Sequence, residues 1–142
     1  MLSGWSQFIK SIRTKRIHIH RLLGKVYVLS VLISGIAGMY IAWHAEGGSI
    51  ARWGFIFMDV AWLSTTIIAF KSIKAKDVVN HENWMIRSYA VCWAAVTLRL
   101  WIPLFMSFTS LEFIEAYRII AWLSWVPNLM VAELIIKYIR KT

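Results

Sequence analysis

Four long apolar blocks dominate this sequence and restrict the folds that are open to it. A helix needs roughly 20 apolar residues to cross the hydrocarbon core of a bilayer, and each block is close to that length or longer. Because the hydrocarbon core holds no water to satisfy backbone groups, such blocks cross it as helices. We predict an all-α integral membrane protein, a bundle of four transmembrane helices at about residues 22–43, 53–70, 84–108 and 117–139.

The composition agrees with a membrane protein and argues against a soluble nucleic-acid-binding domain. The 142 residues include 9 Trp, and 59% of them are hydrophobic, which is more than soluble domains usually contain. The formal net charge of +9 comes from basic residues at the ends of the apolar blocks and not from one basic face. The single cysteine, Cys92, lies inside an apolar block, so the chain has no disulfide framework. We expect no nucleic-acid partner.

The distribution of Lys and Arg predicts the orientation of the spans. Six of these residues lie within residues 1–25, three lie in the second loop and three lie at the C-terminus, whereas the other two loops and their flanks hold only Arg52 and Arg118. Loops that are rich in Lys and Arg stay on the cytoplasmic side. We therefore predict that both termini and the second loop face the cytoplasm, an N-in/C-in arrangement.

A basic segment, residues 1–20, precedes the transmembrane domain at residues 21–142. Apolar residues recur at helical spacing from Trp5 to Ile12, among positive charges with no acid nearby. This pattern is typical of an amphipathic helix that lies on an anionic membrane leaflet. A basic tail that only sets the topology is the alternative.

Depth along the spans pairs four of the ionisable residues that lie inside them, Asp59, Arg87, Arg99 and Glu133. A charged side chain in the hydrocarbon costs roughly 2.5–3.5 kcal/mol on insertion scales, so each should have a partner. At about 1.5 Å per residue, Asp59 and Arg99 lie at similar depth in the outer half, and Arg87 and Glu133 lie at similar depth in the inner half. We expect an ion pair at each level, either to fix the helix packing or to serve a functional site.

Pro127 and Asn128 interrupt the apolar pattern in the middle of the fourth span. Proline removes one backbone donor and bends a helix, so we predict a kink there. We expect the Asn128 side chain to bond a backbone carbonyl that the kink frees.

Two histidines occupy equivalent positions and are candidate ligands. His20 precedes the first span and His81 precedes the third, both on the predicted cytoplasmic side, with Arg87 and Glu133 near the same level. Neutral imidazole binds transition metals and haem iron. We predict a cofactor site of these four residues for one haem b or transition metal, with His20 and His81 as the metal ligands. Two interfacial histidines without a ligand are the alternative, and His44 lies too far from His20 to share a metal.

The motifs around these residues resemble a known family. The matching stretches are HRLLGKVY at 20–27, HENWMIRSY at 81–89, TLRL at 97–100 and WVPNL at 125–129. They are similar to an uncharacterised bacterial family of predicted four-span membrane proteins, a domain of unknown function, over about residues 18–137. The resemblance implies a multi-pass protein of the bacterial cytoplasmic membrane and supplies no activity. The second loop of the family often carries a basic pair where this chain has Glu82 and Asn83.

Three functions are compatible with the sequence. The first is binding of a haem or metal at His20 and His81. The second is a non-catalytic assembly or accessory protein, and the third is a small-molecule carrier that works as a dimer. The sequence does not establish an enzyme. The expected partners are a bilayer with an anionic inner leaflet and a homodimer or larger membrane complex.

Overall fold

The computed structural model describes residues 17–141 as six helices joined by short connections. The helices are α1 (Ile17–Trp43), α2 (Gly48–Lys74), α3 (Val78–Cys92), α4 (Ala94–Phe108), α5 (Phe113–Leu123) and α6 (Val126–Lys141). No strand occurs within residues 17–141, so the all-α prediction is confirmed. The predicted interfacial helix at residues 1–20 falls almost wholly outside the described residues.

Within residues 17–141, four stretches are long and apolar enough to cross a membrane, as predicted. Two are single helices, α1 and α2, and two are interrupted spans, α3 with α4 and α5 with α6, at Val78–Phe108 and Phe113–Lys141. The helices extend beyond the apolar blocks of the sequence because polar residues continue them at both ends. Lys71 and Lys74, for example, lie in the last turn of α2, where positive charge stabilises the helix dipole. The N-in/C-in orientation stays a prediction.

Short connections make successive spans run in opposite directions. We call the end that carries the start of α1, residues 75–77 and the end of α6 the basic end, and we call the other the opposite end. Asp77 begins α3 at the basic end, where its side chain accepts a hydrogen bond from the backbone N–H of Asn80 at 3.0 Å. This bond and a second from the Asn80 side chain lower the pKa of the Asp77 carboxyl.

Helix α2 is the centre of the fold. It packs against α1, against α3 near the basic end and against α5 near the opposite end. Helix α6 packs against α3, and α4 packs against α5. Near the basic end α3 of the third span therefore lies beside α2, and near the opposite end α5 of the fourth span does. The two spans exchange places at their interruptions. Within the described residues, α1 packs extensively against α2 alone.

Small residues form the contacts between helices, and large apolar residues face outward. A Cβ on Gly54 would lie 3.1 Å from the Ala121 Cβ, and a Cβ on Gly35 would lie 2.7 Å from the Leu63 side chain. Small residues permit this close approach in membrane proteins, where burial of large side chains does not drive association. Only 11–28% of the residues in each apolar window are buried. Most of the apolar surface therefore remains for lipid or partner subunits.

The two helix interruptions meet at Asn128. Its side-chain Nδ2 donates to the Ser124 carbonyl at 3.0 Å, the Thr97 hydroxyl at 3.2 Å and the Ala90 carbonyl at 3.3 Å. The Thr97 hydroxyl also donates to the Ser124 carbonyl. Pro127 is the second residue of α6, where its missing N–H breaks no helical bond. The kink that Pro127 predicts is thus an interruption at residues 124–125, just before it.

Candidate functional site

A buried network of hydroxyl groups joins the first three helices near the candidate histidines. The Tyr27 hydroxyl on α1 lies 2.8 Å from the Ser88 hydroxyl on α3, which lies 2.6 Å from the Thr66 hydroxyl on α2. The Trp62 indole N–H donates to Tyr27 at 3.4 Å. Ser88 and Thr66 are completely buried. This network fixes how α1 and α3 are placed along α2.

The contact between Tyr27 and Ser88 also sets the relative level of His20 and His81. Each histidine lies seven residues before one member of that pair, which is nearly two whole turns, or roughly 10 Å, toward the basic end. Helices α1 and α3 run in the same direction. The two histidines are therefore at one level, on the sides of α1 and α3 that meet at Tyr27 and Ser88. Both are half-buried.

The ring of His81 has a defined orientation. Its Nδ1 lies 2.8 Å from the carbonyl oxygen of Ala69 on α2. Because a carbonyl only accepts, Nδ1 carries the proton, and the neutral ring then has its lone pair on Nε2. Metal-binding histidines are commonly held in this way by a backbone carbonyl. No group of three or more His, Cys, Asp or Glu side chains that could hold a metal occurs in residues 17–141, so any metal there would need further ligands from a porphyrin or water.

Arg87 and Glu133 form a bidentate ion pair between α3 and α6. The Arg87 Nε lies 2.5 Å from Oε1 of Glu133, and Nη2 lies 3.0 Å from Oε2. The guanidinium also lies over the Trp84 ring, 4.5 Å from its centroid. Their equal depth on the two spans predicted that these two residues meet. The pair faces α6, however, whereas His81 faces α2, so the structure divides the predicted four-residue site in two.

A second ionic contact between α3 and α6 was not predicted. Arg140 donates to the Asn83 side chain at 2.8 Å and to the Val79 carbonyl at 3.1 Å, and it lies 3.3 Å from the Glu82 carboxylate. Glu82 and Asn83 are the residues that replace the basic pair of the resembling family. In the sequence, Glu82 and Asn83 offer hydrogen-bond acceptors where the family often carries positive charge. That difference could have indicated a contact with Arg140, because its guanidinium needs acceptors.

The predicted ion pair between Asp59 and Arg99 is wrong. Arg99 is exposed on α4 and donates to the Ala95 carbonyl of its own helix at 2.7 Å. Asp59 is buried on α2 and lies against Gly38 of α1. The prediction fails because the third and fourth spans exchange places, which puts α5 between α2 and α4. Equal depth was a correct criterion only for helices that pack against each other.

Comparison with known proteins identifies a family. A family model described as "Predicted membrane protein (DUF2306)" matches residues 1–136, almost the whole chain. No curated protein and no solved structure matches significantly. The resemblance to a predicted membrane protein family of unknown function is therefore confirmed. The cofactor roles of His20, His81, Arg87 and Glu133 stay predictions.

Proposed function

The chain belongs to the DUF2306 family of predicted membrane proteins, and we propose that it binds one haem b or transition-metal ion between α1 and α3, with His20 and His81 as ligands. The hydrogen bond between Tyr27 and Ser88 carries this proposal. It supports two histidines at one level on neighbouring sides of two helices. Sequence spacing alone showed only that the two histidines precede two separate spans at equivalent positions.

The donor chemistry of His81 suits a metal. The Ala69 carbonyl holds its Nδ1–H, which turns Nε2 into the ligating atom and fixes the ring against rotation. A bound haem iron would supply one-electron transfer, and a bound transition-metal ion would act as a Lewis acid. The protein residues bind and orient the group in either case.

A haem at this site would need cations near its propionates. Arg87 is engaged with Glu133 and is not available for haem propionates. Among the described residues, Arg21 follows His20 directly and Lys25 lies five residues after it, and both are exposed on α1. We propose these two as the groups that neutralise propionates in the haem form of the site.

Absorbance and metal analysis of the purified full chain test the proposal. After expression with added haem, we expect either a Soret band or a stoichiometric transition metal by elemental analysis. His20→Ala and His81→Ala should each reduce the bound group roughly 10-fold or more, because even groups that only orient a metal ligand have effects of that order.

The chain supplies matched controls for these variants. His18 is exposed on α1 only two residues from His20, so it faces a different direction, and His44 lies at the opposite end. His18→Ala and His44→Ala should retain the bound group. A wild-type protein with neither haem nor metal would refute the proposal, as would loss that is equal in all four variants.

A non-catalytic assembly or accessory protein is the second candidate. Arg99 favours it, because an exposed arginine inside a span has only a carbonyl of its own helix as a partner among the described residues. An unpaired charge in hydrocarbon is costly, and an acidic group on another subunit would offset that cost. The carrier hypothesis is weaker, because Asp59 and Arg99, the expected outer ion pair, do not meet. Wild-type protein without haem or metal would favour the accessory role.

A further inference from the structure

Asp59 is a buried carboxyl near the middle of α2. It is 4% exposed and lies eleven residues after the start of a 27-residue helix. Such a helix is about 40 Å long and extends past both sides of a hydrocarbon core of roughly 30 Å. Asp59 therefore lies well inside the membrane.

A glycine on α1 makes the space for this carboxyl. A Cβ built on Gly38 would lie 2.6 Å from Oδ2 of Asp59 and 2.9 Å from Oδ1, so both oxygens lie against the α1 backbone. Asp59 has no hydrogen bond or ion pair with any residue of the described chain. Other buried polar side chains at the helix contacts, such as Ser88 and Thr66, are bonded.

No charged group on the neighbouring helices faces Asp59. On α1, His44 lies at the exposed end beyond Gly38. On α3, Arg87 is bonded to Glu133. On α5, Arg118 donates to the Gly47 carbonyl at 2.8 Å at the opposite end of the helices.

Helix α2 itself carries one cation on the same side as Asp59. Arg52 precedes it by seven residues and is exposed, roughly 10 Å away along the helix. Arg52 therefore lies toward the opposite end and beyond hydrogen-bond distance of the Asp59 carboxyl.

An ionised carboxylate without a partner is very costly in an apolar interior, whereas a neutral carboxyl is far less so. We propose that Asp59 is a proton-binding site inside the second span, and that its occupancy controls the contact between α1 and α2 at Gly38. Binding adds one proton from water to a carboxylate oxygen and changes the charge of the site from −1 to 0. Ionisation draws the carboxyl away from Gly38 toward water and loosens the two helices.

Carbodiimide labelling of the full chain in phospholipid vesicles tests this site. Dicyclohexylcarbodiimide enters membranes and reacts with protonated carboxyls to give a stable N-acylurea. We expect peptide mass spectrometry to find the adduct on Asp59 at neutral pH, at several-fold higher yield than on Glu133, whose carboxylate is paired with Arg87. A water-soluble carbodiimide should instead modify the exposed Asp77 and spare Asp59.

The variant Asp59→Asn provides an independent measurement. Asparagine imitates the shape and neutrality of a protonated carboxyl, so we expect its melting temperature at neutral pH to be at least as high as that of wild type. In wild type the melting temperature should fall as the pH rises above the ordinary range of a carboxyl pKa, and in the variant that fall should disappear.

Three results would overturn the proposal. The first is labelling of Asp59 at no higher yield than Glu133. The second is a large loss of stability in Asp59→Asn at neutral pH. The third is that sodium ions, but not choline, protect Asp59 from the carbodiimide. The last would identify a cation site in place of a proton site. None of these readouts depends on haem or metal at His20 and His81, so the two proposals fail separately.

Discussion

Trp62 both begins and ends a closed ring of hydrogen bonds. Its indole N–H can only donate, here to Tyr27, and its backbone carbonyl can only accept, here from Thr66 at 2.8 Å. Because these two roles are fixed, the direction of each hydrogen bond between them is determined. Tyr27 donates to Ser88, and Ser88 donates to Thr66. The ring is fully satisfied and ties three helices together at the level that positions the histidines.

Ser88→Ala should therefore destabilise the protein. The substitution leaves the Tyr27 hydroxyl without its acceptor and the Thr66 hydroxyl without its donor, and we expect a loss of about 1–2 kcal/mol. Unfolding in mixed micelles by added dodecyl sulfate measures the effect. Ser64→Ala is the control, because Ser64 is exposed and bonds only the Ala61 carbonyl of its own helix. Equal stability of the two variants would show that the ring contributes nothing.

At the residue scale, the sequence predicted that charged side chains inside the spans need partners, but it did not predict which hydroxyl groups pair. The high cost of an isolated charge in hydrocarbon made a partner for Arg87 necessary, and depth selected Glu133. The same argument gave Asp59 the wrong partner, because depth does not say which spans are neighbours. Ser88 and Thr66 gave no signal, since a hydroxyl is common in spans and can also bond its own helix.

At the scale of elements, the third and fourth spans are interrupted at the same level so that they can cross. Three acceptor atoms on two spans share the two N–H groups of the single Asn128 amide. Near the basic end α3 lies beside α2, and near the opposite end α5 takes that place. Asn128 is thus the joint at which the two spans exchange neighbours.

Asn128→Ala should loosen both spans, although only one of them carries the substitution. The Ser124 and Ala90 carbonyls and the Thr97 hydroxyl each lose a donor, so backbone amides near the start of α4 and of α6 should exchange with deuterium faster. Hydrogen-exchange mass spectrometry measures this effect. Met130→Ala, at an exposed position of the same helix, should change neither region. Faster exchange confined to α6 would contradict the shared joint.

Hydropathy predicted the number and the approximate positions of the spans, because it reports the hydrocarbon requirement directly. It underestimated helix length, since residues such as those at 48–52 are helical outside the apolar block. Pro127 indicated the interruption in the fourth span. Nothing in the local sequence indicated the interruption at Trp93, which has no proline or glycine beside it. That interruption lies against the fourth span, where Asn128 donates to the Ala90 carbonyl and the Thr97 hydroxyl.

At the scale of the whole molecule, the spans pack as a row in which α1 lies at one edge and also contacts α3 through the hydrogen bond between Tyr27 and Ser88. Near the basic end the order is α1, α2, α3 and α6, and near the opposite end it is α1, α2, α5 and α4. Sequence analysis predicted a four-helix bundle but gave no order of neighbours. Arg99 lies on α4, at the other edge of this row, where a partner subunit would be able to contact it.

The orientation of this row decides which compartment the candidate histidines face. The Lys and Arg of the second loop and of the C-terminus lie at the basic end, and we predict that this end is cytoplasmic because positively charged loops resist translocation. Single cysteines in a Cys92→Ser background test it. An impermeant maleimide on intact cells should label Glu46→Cys and Glu112→Cys, whereas Lys76→Cys and Lys141→Cys should react only after lysis. The reverse pattern would place His20 and His81 at the outer surface, and any haem or metal they bind would then be acquired outside the cytoplasm.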